Sequence, residues 1–459
     1  MNEKLILTCK DLTSEGLGVC KRESKTFFVP YLLVDEEARV HITKKRKNFY
    51  EGVVVERFKD SKDRVTPKCR YYYHCGGCHL QHMSYRMQLE FKKNKVEETL
   101  KRIGKINVKV DDCIGMDNPW NYRNKVQVPY GVNKKGKVIA GFYKKGTHEI
   151  IDMDNCDIEY DIADQIVNTL KKLFKEMKIE IYNEDKRTGV IRHVLIRNGV
   201  FTNDVMVVLV TNVDSFRSRD NLVKALVKEY PSIKTVVQNI NPRSTNVILG
   251  EKEKVLYGKG YIEDYLCGIK FRISSKSFYQ INPIQTEKLY NKAIEFADLK
   301  GTETVLDAYC GIGTIGLVAS KKAKRVIGVE IVEDAIKDAR KNARNNKINN
   351  VDFYCEDASR FMQELAASNI NVDVVFIDPP RKGSEKVFLD SMIKLNPEKV
   401  VYVSCEPSTL ARDLNYIVNN SNYKVKKVTP VDMFPQTFHV ETVCLLSKLH
   451  EAKHHVNVT

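Results

Sequence analysis

A cysteine near the C-terminal end of this 459-residue chain stands where a nucleophile would be expected. The apolar run VVYV at residues 400–403 predicts a buried strand that delivers Ser404 and Cys405 to its carboxyl end. In open α/β sheets ligands bind at that edge. Pro407, with Ser408 as the predicted N-cap, indicates a following helix whose N-terminus would favour a thiolate. Cys405 is therefore a candidate nucleophile, and the alternative is an ordinary buried cysteine.

A second reactive group lies in the segment VTPKCRYYYHCGGCHLQH. Cys69, Cys75 and Cys78 form a C-x5-C-x2-C arrangement, and sulfurs spaced this closely can wrap a compact inorganic centre. Zinc ribbons normally bring two C-x2-C knuckles and this segment has one, so a 4Fe-4S cluster is favoured over zinc and over unliganded cysteines. For the fourth ligand we choose Cys156, with Cys113 as the alternative, because spacing alone does not separate the two.

Acidic residues follow successive predicted strands in the C-terminal part of the chain. The segment TVLDAYCGIGTIG predicts a strand, a glycine-rich turn and a helix start, and Glu330 ends the next strand. This combination binds the ribose of an adenosine-containing cofactor, although the glycine spacing also fits a dinucleotide. Asp357 follows a third strand and Asp378 a fourth, in FIDPPRKG. An acid before two prolines at that point is typical of methyltransferases that act on planar nitrogenous rings.

The first sixty residues must form a different kind of structure. Apolar and polar residues alternate in five short runs broken by glycine: LILTCKDL, GLGV, TFFVPYLLV, ARVHITKKRK and GVVVERF. This pattern predicts a small β-barrel of the oligonucleotide-binding type. The cations KKRK at residues 44–47 precede Phe49 and Tyr50, which places positive charges beside stacking surfaces.

The remaining segments predict two further folding units. Residues 84–104 carry apolar positions at helical spacing and end at glycine, which indicates a basic amphipathic helix. Short β-rich segments then recur with two helical runs as far as about residue 268, which predicts a mixed α+β domain. From residue 278 onward, strands alternate with helical stretches, which is typical of a parallel doubly wound sheet.

We therefore predict a multidomain α+β and α/β chain with three parts. An OB-like barrel occupies residues 1–60, and a central α+β domain with the iron–sulfur cluster occupies residues 61–268. A Rossmann-like cofactor-binding domain occupies residues 269–459, and the helix at 84–104 is placed to pack on it.

Positive charge is concentrated in one part of the chain. The net charge is +16, and residues 61–150 carry 19 Lys and Arg against 8 Asp and Glu. A field of one sign this concentrated indicates a nucleic-acid partner. We recognise no signal peptide and no apolar run long enough to span a membrane, and the twelve irregularly spaced cysteines suggest reduced thiols. We expect a cytoplasmic monomer with no membrane association and no obligate protein partner.

Several segments resemble one family of RNA-modifying enzymes. The sequences DPPRKG, VVYVSCEPST and VDMFPQTFHVE closely resemble the signatures of RNA (uracil-5-)-methyltransferases, and SSKSFYQINPIQTEKLY resembles their pre-motif segment. DLTSEGLGV resembles the TRAM domain of RNA-modifying enzymes. The similarity spans nearly the whole chain and looks like the 23S ribosomal-RNA branch, because the tRNA branch generally lacks both N-terminal features. In one departure, Glu406 replaces the usual asparagine, and its carboxylate should raise the pKa of Cys405 unless it points away.

The resemblance implies an enzyme that makes 5-methyluridine in RNA, with 23S ribosomal RNA as the first choice of substrate and tRNA as the alternative. Cys405 would add to C6 of uracil, and Glu441 would remove the C5 proton. Phe278 would stack on the flipped base. The residues that would hold S-adenosylmethionine are Gln280, Tyr309, Glu330 and Asp378, with Asp357 a further candidate near the adenine.

Two other functions compete with this interpretation. Radical iron–sulfur enzymes of RNA modification also carry such a barrel, but they need a C-x3-C-x2-C triad, which the sequence lacks. A non-catalytic RNA-binding or assembly factor could retain the same fold. The positions of Cys405 and Glu441 favour an enzyme over that factor.

Overall fold

A computed structural model of the chain describes residues 3–244, 247–368 and 370–448. At the N-terminus five strands close into a barrel in the order β1-β2-β3-β5-β4. Apolar residues alternate inward along each strand and fill the barrel with a small core of its own. The predicted N-terminal barrel is thus confirmed. Its strands are β1 (Lys4–Leu12), β2 (Gly18–Arg22), β3 (Lys25–Val29), β4 (Glu37–Lys45) and β5 (Tyr50–Lys59).

A single long helix, α1 (Tyr85–Arg102), follows the cysteine-rich segment. Its N-cap is Ser84, whose hydroxyl accepts a hydrogen bond from the backbone N–H of Met87 at 3.2 Å. Cations occupy its last turn, where they complement the helix dipole.

The central part of the chain contains a six-stranded sheet in the order β11-β10-β9-β8-β6-β7. Strands β9 and β10 run parallel, and the other neighbours run antiparallel. Two helices pack against this sheet, α2 (Asp161–Glu176) and α3 (Arg219–Glu229). The strands are β6 (Lys125–Val132), β7 (Val138–Ala140), β8 (Ile191–Asn198), β9 (Val205–Thr211), β10 (Ile233–Ile240) and β11 (Lys252–Gly258).

A hairpin of two strands, β12 (Tyr261–Leu266) and β13 (Ile269–Ser274), leads from the central sheet to the C-terminal one. The C-terminal sheet has seven strands, and helices connect most of them. The helices are α4 (Pro283–Ala297), α5 (Thr314–Ala319), α6 (Glu333–Asn345), α7 (Ala358–Ala367), α8 (Lys386–Leu395) and α9 (Pro407–Asn419). The strands are β14 (Thr304–Asp307), β15 (Arg325–Glu330), β16 (Val351–Cys355), β17 (Val374–Ile377), β18 (Lys399–Ser404), β19 (Tyr423–Val431) and β20 (Glu441–Lys448).

The strand order of this sheet, β16-β15-β14-β17-β18-β20-β19, places the site. Strands β14 to β18 are parallel, and β20 runs antiparallel between β18 and β19. The chain changes direction across the sheet between β14 and β17, and ligands bind beyond the carboxyl ends of the strands at such a switch point. Because β20 is antiparallel, its first residue, Glu441, lies at this same edge.

The three parts of the chain share apolar cores. Val96 and Leu100 of α1 pack into the same cluster as Leu306 and Val400 of the C-terminal sheet, and α1 contacts α9 and β19. On the other face, Met206 of the central sheet joins the core that covers α4. The division at residues 60 and 268 therefore remains a proposal about folding units. Within the described ranges, no helix is both long and apolar enough to cross a bilayer.

Candidate active site

Four reactive side chains converge at the carboxyl edge of the C-terminal sheet. Asp307 ends β14, Asp378 directly follows β17, Cys405 directly follows β18, and Glu441 begins β20. Ser404 pairs with Thr442 and Ile377 pairs with Tyr402, so Cys405 lies beside Glu441 and next to the strand that ends before Asp378. The fold thus brings together residues that are up to 134 positions apart in the sequence.

The environment of Cys405 favours the thiol over the thiolate. Burial raises the pKa of this thiol to about 12, the Glu441 and Asp378 carboxyls add to the rise, and the Arg381 guanidinium opposes it. A thiol becomes nucleophilic only as the thiolate. Formation of the thiolate therefore requires a change in local charge, such as protonation of a neighbouring carboxyl or the arrival of a cation.

Glu441 has the protonation behaviour of a general base. Its side chain is buried, and burial raises the pKa of the carboxyl to about 8, with Asp378 raising it further and Arg381 lowering it. A base works best when its pKa lies near the working pH, because it is then both partly ionised and basic enough to take a proton. Glu441 meets that condition.

The residue after the cysteine, Glu406, is turned toward α9. Its Oε1 accepts hydrogen bonds from the backbone N–H of Ser408 at 3.3 Å and from the Ser408 hydroxyl at 2.9 Å. Glu406 is therefore the N-cap of α9, and the expectation that Ser408 would be the cap is wrong. The backbone N–H groups of the first helical turn have no partners within the helix. The Glu406 side chain precedes them and can accept their hydrogen bonds, whereas Ser408 lies inside the helix. Glu406, in place of the usual asparagine, therefore still provides a side-chain oxygen that caps the helix.

Two backbone amides tie the glycine-rich turn to the acids beside it. Oδ2 of Asp307 accepts from the N–H of Gly316 at 2.7 Å, and Oε2 of Glu330 accepts from the N–H of Gly311 at 3.2 Å. A Cβ atom at Gly316 would come within 3.0 Å of the Asp307 carboxylate, so the close approach needs glycine. The predicted strand, turn and helix start are present here, with α5 beginning at Thr314.

Three acids near one another at this edge, Asp307, Glu330 and Asp378, would favour a bound cation. Burial raises the pKa of Asp307 to about 7, an N–H of Gly316 opposes the rise, and the Asp378 and Glu330 carboxyls add to it. Burial alone raises the pKa of Asp378 to about 7. Oδ1 of Asp307 is buried without a hydrogen-bond partner among the described residues. A bound positive charge would relieve this repulsion, and a sulfonium ion carries one.

Of the remaining predicted cofactor residues, Tyr309 and Asp357 lie near this edge, and Gln280 contacts the central part of the chain. The Tyr309 ring packs on Phe388 with centroids 5.5 Å apart, and Asp357 lies close enough to raise the pKa of the Tyr309 hydroxyl. Asp357 is exposed and caps α7 through the backbone N–H of Arg360 at 3.0 Å. Gln280 is buried, and its carbonyl oxygen accepts from the Asn124 side chain at 3.0 Å.

Phe278 is a free aromatic surface. Its side chain is 65% exposed, which excludes the alternative that it is a core residue. Arg197 holds the backbone just before it by donating to the carbonyl oxygens of Ser275 at 3.3 Å and of Ser277. An exposed ring on a fixed backbone can stack on a base.

Two further residues belong to this site, Asp307 and Arg381, and no role for them could be predicted from the sequence motifs. Asp307 ends the strand that precedes the glycine turn, and Arg381 directly follows the two prolines after Asp378. Asp307 ends a strand at the switch point and Arg381 lies in the loop that follows β17 there, and that signal could have identified them. Arg381 stands out because it lowers the pKa of both Cys405 and Glu441.

The four predicted cysteine ligands line one cavity of about 220 Å³. The cavity wall also contains Tyr72, Phe142, Met153 and Arg123. The four cysteines are Cys69, Cys75, Cys78 and Cys156.

The positions of Cys156 and Cys113 distinguish between these two candidates for the fourth ligand. Cys113 is buried next to Asp432 and Lys92, whereas Cys156 shares the cavity with the other three thiols.

In the described ranges, no three Cys, His, Asp or Glu side chains converge closely enough to hold a single metal ion. The cavity is instead wide enough for a larger centre. Arg123 has a buried Nε without a hydrogen-bond partner among the described residues, and this cation fits a centre made negative by thiolates.

Comparisons with known proteins identify the family of the chain. The family model described as tRNA (Uracil-5-)-methyltransferase matches residues 84–449. An uncharacterized RNA methyltransferase of Halalkalibacterium halodurans is 46% identical over 97% of both chains, and one of Clostridium tetani is 47% identical over 96% of this chain and 95% of its own. The solved structure of Pyrococcus abyssi tRNA (uracil-54, C5)-methyltransferase with S-adenosyl-L-homocysteine is 27% identical, covers 96% of this chain and 100% of that one, and gives a TM-score of 0.76. This chain therefore belongs to the tRNA (uracil-5-)-methyltransferase family, as its motifs suggested.

Proposed function

We propose that this protein transfers a methyl group from S-adenosylmethionine to C5 of a uridine in RNA. The observation that carries the proposal is the convergence of the Cys405 thiol and the Glu441 carboxyl beside Asp378, at the sheet edge where Asp307 and Glu330 also lie. The archaeal relative bound to S-adenosyl-L-homocysteine supports the choice of cofactor. Asp307, Glu330 and Asp378, with Gln280, Tyr309 and Asp357 around them, would hold it.

The residues divide the work in the following way. The Cys405 thiolate adds to C6 of uracil, and the electron pair of the C5–C6 bond moves into an enolate that makes C5 nucleophilic. S-adenosylmethionine, when bound, would supply an electrophilic methyl group; as C5 attacks it, the methyl–sulfur bond breaks and S-adenosyl-L-homocysteine leaves with the electron pair. Glu441 then takes the C5 proton, the electron pair restores the C5–C6 double bond, and the C6–sulfur bond breaks to release Cys405. The base must be flipped out, and Phe278 would stack on it.

The substrate is proposed to be ribosomal RNA of the 23S type. The barrel and the four-cysteine cavity support this choice, because the tRNA branch of the family generally lacks both features; the Pyrococcus abyssi tRNA enzyme, which matches 96% of this chain, does not lack the barrel. A second candidate, tRNA, is supported by the archaeal relative, whose name specifies uracil 54 of tRNA. Methylation of 23S and tRNA transcripts with labelled S-adenosylmethionine, followed by nucleoside analysis, separates the two. An RNA-binding factor without activity would give no 5-methyluridine on either.

The barrel is expected to supply phosphate contacts through residues 44–47. These four cations are exposed, the Lys45 ammonium lies 5.8 Å from the Tyr50 ring centre, and Arg46 pairs with Glu51 at 2.7 Å. Changing all four to alanine should lower the salt slope of RNA binding by about three, since each phosphate contact on a single strand contributes about 0.7. Filter binding over a range of salt concentrations measures this slope.

A matched control removes four exposed lysines from α2 and α3. The variant with alanine at Lys172, Lys175, Lys224 and Lys228 should keep the slope of the unchanged protein. If both variants show the same salt slope of RNA binding, residues 44–47 do not contact the RNA phosphates.

The four-cysteine cavity is proposed to hold an oxygen-sensitive 4Fe-4S cluster that stabilises the central domain. Protein purified without oxygen should be brown and contain about four irons per chain, as four thiolate ligands imply. Cys156→Ser should remove the iron, whereas Cys113→Ser should keep it. Iron analysis and the visible absorption spectrum report the result, and loss of iron from Cys113→Ser alone would show that the fourth ligand has been misassigned.

A further inference from the structure

The loop between β19 and β20, residues 432–440, carries the chain to Glu441. The segment that leaves the four-cysteine cavity holds one side of this loop. The backbone N–H groups of His79 and Leu80 both donate to the carbonyl oxygen of Gln436, at 2.8 and 3.0 Å. The position of the proposed base is therefore set partly by residues more than 350 positions earlier in the chain.

Helix α1 holds the same loop from another side. The Gln88 side chain makes two hydrogen bonds with Gln436: its Oε1 accepts from the backbone N–H at 3.0 Å, and its Nε2 donates to Oε1 at 3.0 Å. Lys95 donates to the carbonyl oxygen of Phe438 at 3.0 Å. These contacts follow one face of the helix and run along the loop toward Glu441.

Between them lies an ion pair that is sealed from solvent. The side chains of Lys92 and Asp432 both have 0% exposure. The Lys92 ammonium donates to the Asp432 carboxylate and to the carbonyl oxygen of Phe434, the latter at 3.1 Å. The other carboxylate oxygen accepts from the Tyr85 hydroxyl at 2.9 Å.

A buried ion pair of this kind adds little to the stability of the fold. Removing two charges from water is costly, and well-packed apolar residues of similar volume often stabilise a protein as well or better. A buried pair does, however, fix geometry, because either charge is strongly disfavoured in any arrangement that leaves it unpaired. The first residue of the loop, Asp432, is thereby locked to the middle of α1.

We infer that Lys92 and Asp432 are positioning residues, which hold the β19–β20 loop so that the Glu441 carboxylate reaches the C5 proton. The inference rests on the proposed function. Cys405 is delivered by β18, and the hydrogen bonds of the pair go to Tyr85 and to the β19–β20 loop, so addition and methyl transfer should depend on the pair weakly. Proton removal should depend on it strongly, because small misplacements of a reacting group slow a step by large factors.

The test compares the two steps in single-turnover reactions with methyl-labelled S-adenosylmethionine and saturating RNA. Total label in RNA reports methyl transfer, and the fraction of that label in a denaturant-stable protein–RNA complex reports stalled elimination. In the double variant Lys92→Met with Asp432→Asn, which leaves no unpaired charge, elimination should slow about tenfold and the bound fraction should rise accordingly. The fraction is counted per enzyme that has reacted, so partial unfolding does not change it.

A buried pair in another part of the chain provides the matched control. Arg64 and Glu36 are also nearly inaccessible, and Arg64→Met with Glu36→Gln should leave the bound fraction unchanged. If the Lys92 and Asp432 variant loses both steps in parallel with no rise in the fraction, the pair is only structural and the inference is wrong. If Glu441→Gln itself traps no complex, the assignment of the base fails first, and the inference fails with it.

Discussion

Alanine in place of Cys405 is expected to abolish methylation, by about 10⁶-fold, the order seen when a covalent nucleophile is removed. C5 of uracil is too weak a nucleophile to attack a methyl group unless a thiolate first adds to C6. At the sheet edge Cys405 is the thiol coupled to both Glu441 and Asp378. Transfer of labelled methyl groups to RNA measures the loss.

The variant should still bind cofactor, because the predicted cofactor residues are unchanged. A thermal shift on adding S-adenosyl-L-homocysteine checks this. Cys267→Ala, at the turn between β12 and β13, is the control and should retain activity. Methylation by the Cys405 variant at more than about one hundredth of the normal rate would contradict covalent catalysis.

Glutamine in place of Glu441 is expected to trap the enzyme on its substrate. Glutamine keeps the shape of the side chain but cannot accept a proton, so methyl transfer should proceed and elimination should stop. The product would be a denaturant-stable protein–RNA complex that carries a labelled methyl group. Denaturing electrophoresis with labelled cofactor detects it, and release of fully methylated free RNA would exclude Glu441 as the base.

The pH dependence provides a second measurement of the same residue. The base acts only when it is ionised, and burial raises the pKa of Glu441 to about 8. Elimination by the unchanged enzyme should therefore rise about tenfold per pH unit below that value and level off above it. Glu406→Gln is the matched control: this carboxyl follows Cys405 directly but bonds Ser408, so the variant should turn over without trapping RNA.

Local patterns were sufficient to predict much of the fold. Alternating apolar residues identified the five barrel strands, and apolar runs followed by acids identified the strand ends at which Glu330 and Asp378 lie. These features are decided by neighbours within a few residues. The antiparallel insertion of β20 could not be predicted in the same way, because strand order depends on contacts between distant segments.

The same limit applies to the site. Cys405 could be identified because its own strand points it at the edge, but the neighbours that set its pKa come from other strands. Glu406 caps α9 because its side chain turns toward the helix, and neighbouring residues in the sequence do not reveal that direction. The pairing of Lys92 with Asp432 joins residues 340 positions apart, and a lysine in a basic helix gives no sign that it is buried.

The place of β20 between β18 and β19 has a consequence for synthesis of the protein on the ribosome. Both flanking strands emerge before β20, so each has an unpaired edge until the last strand enters the gap. Open edges of this kind associate with other chains, and pairings between distant segments form slowly. A nascent chain that stops before residue 441 would lack the proposed proton acceptor and would also be prone to aggregate. The sheet and its proposed catalytic base are thus completed together, only after β20 has left the ribosome.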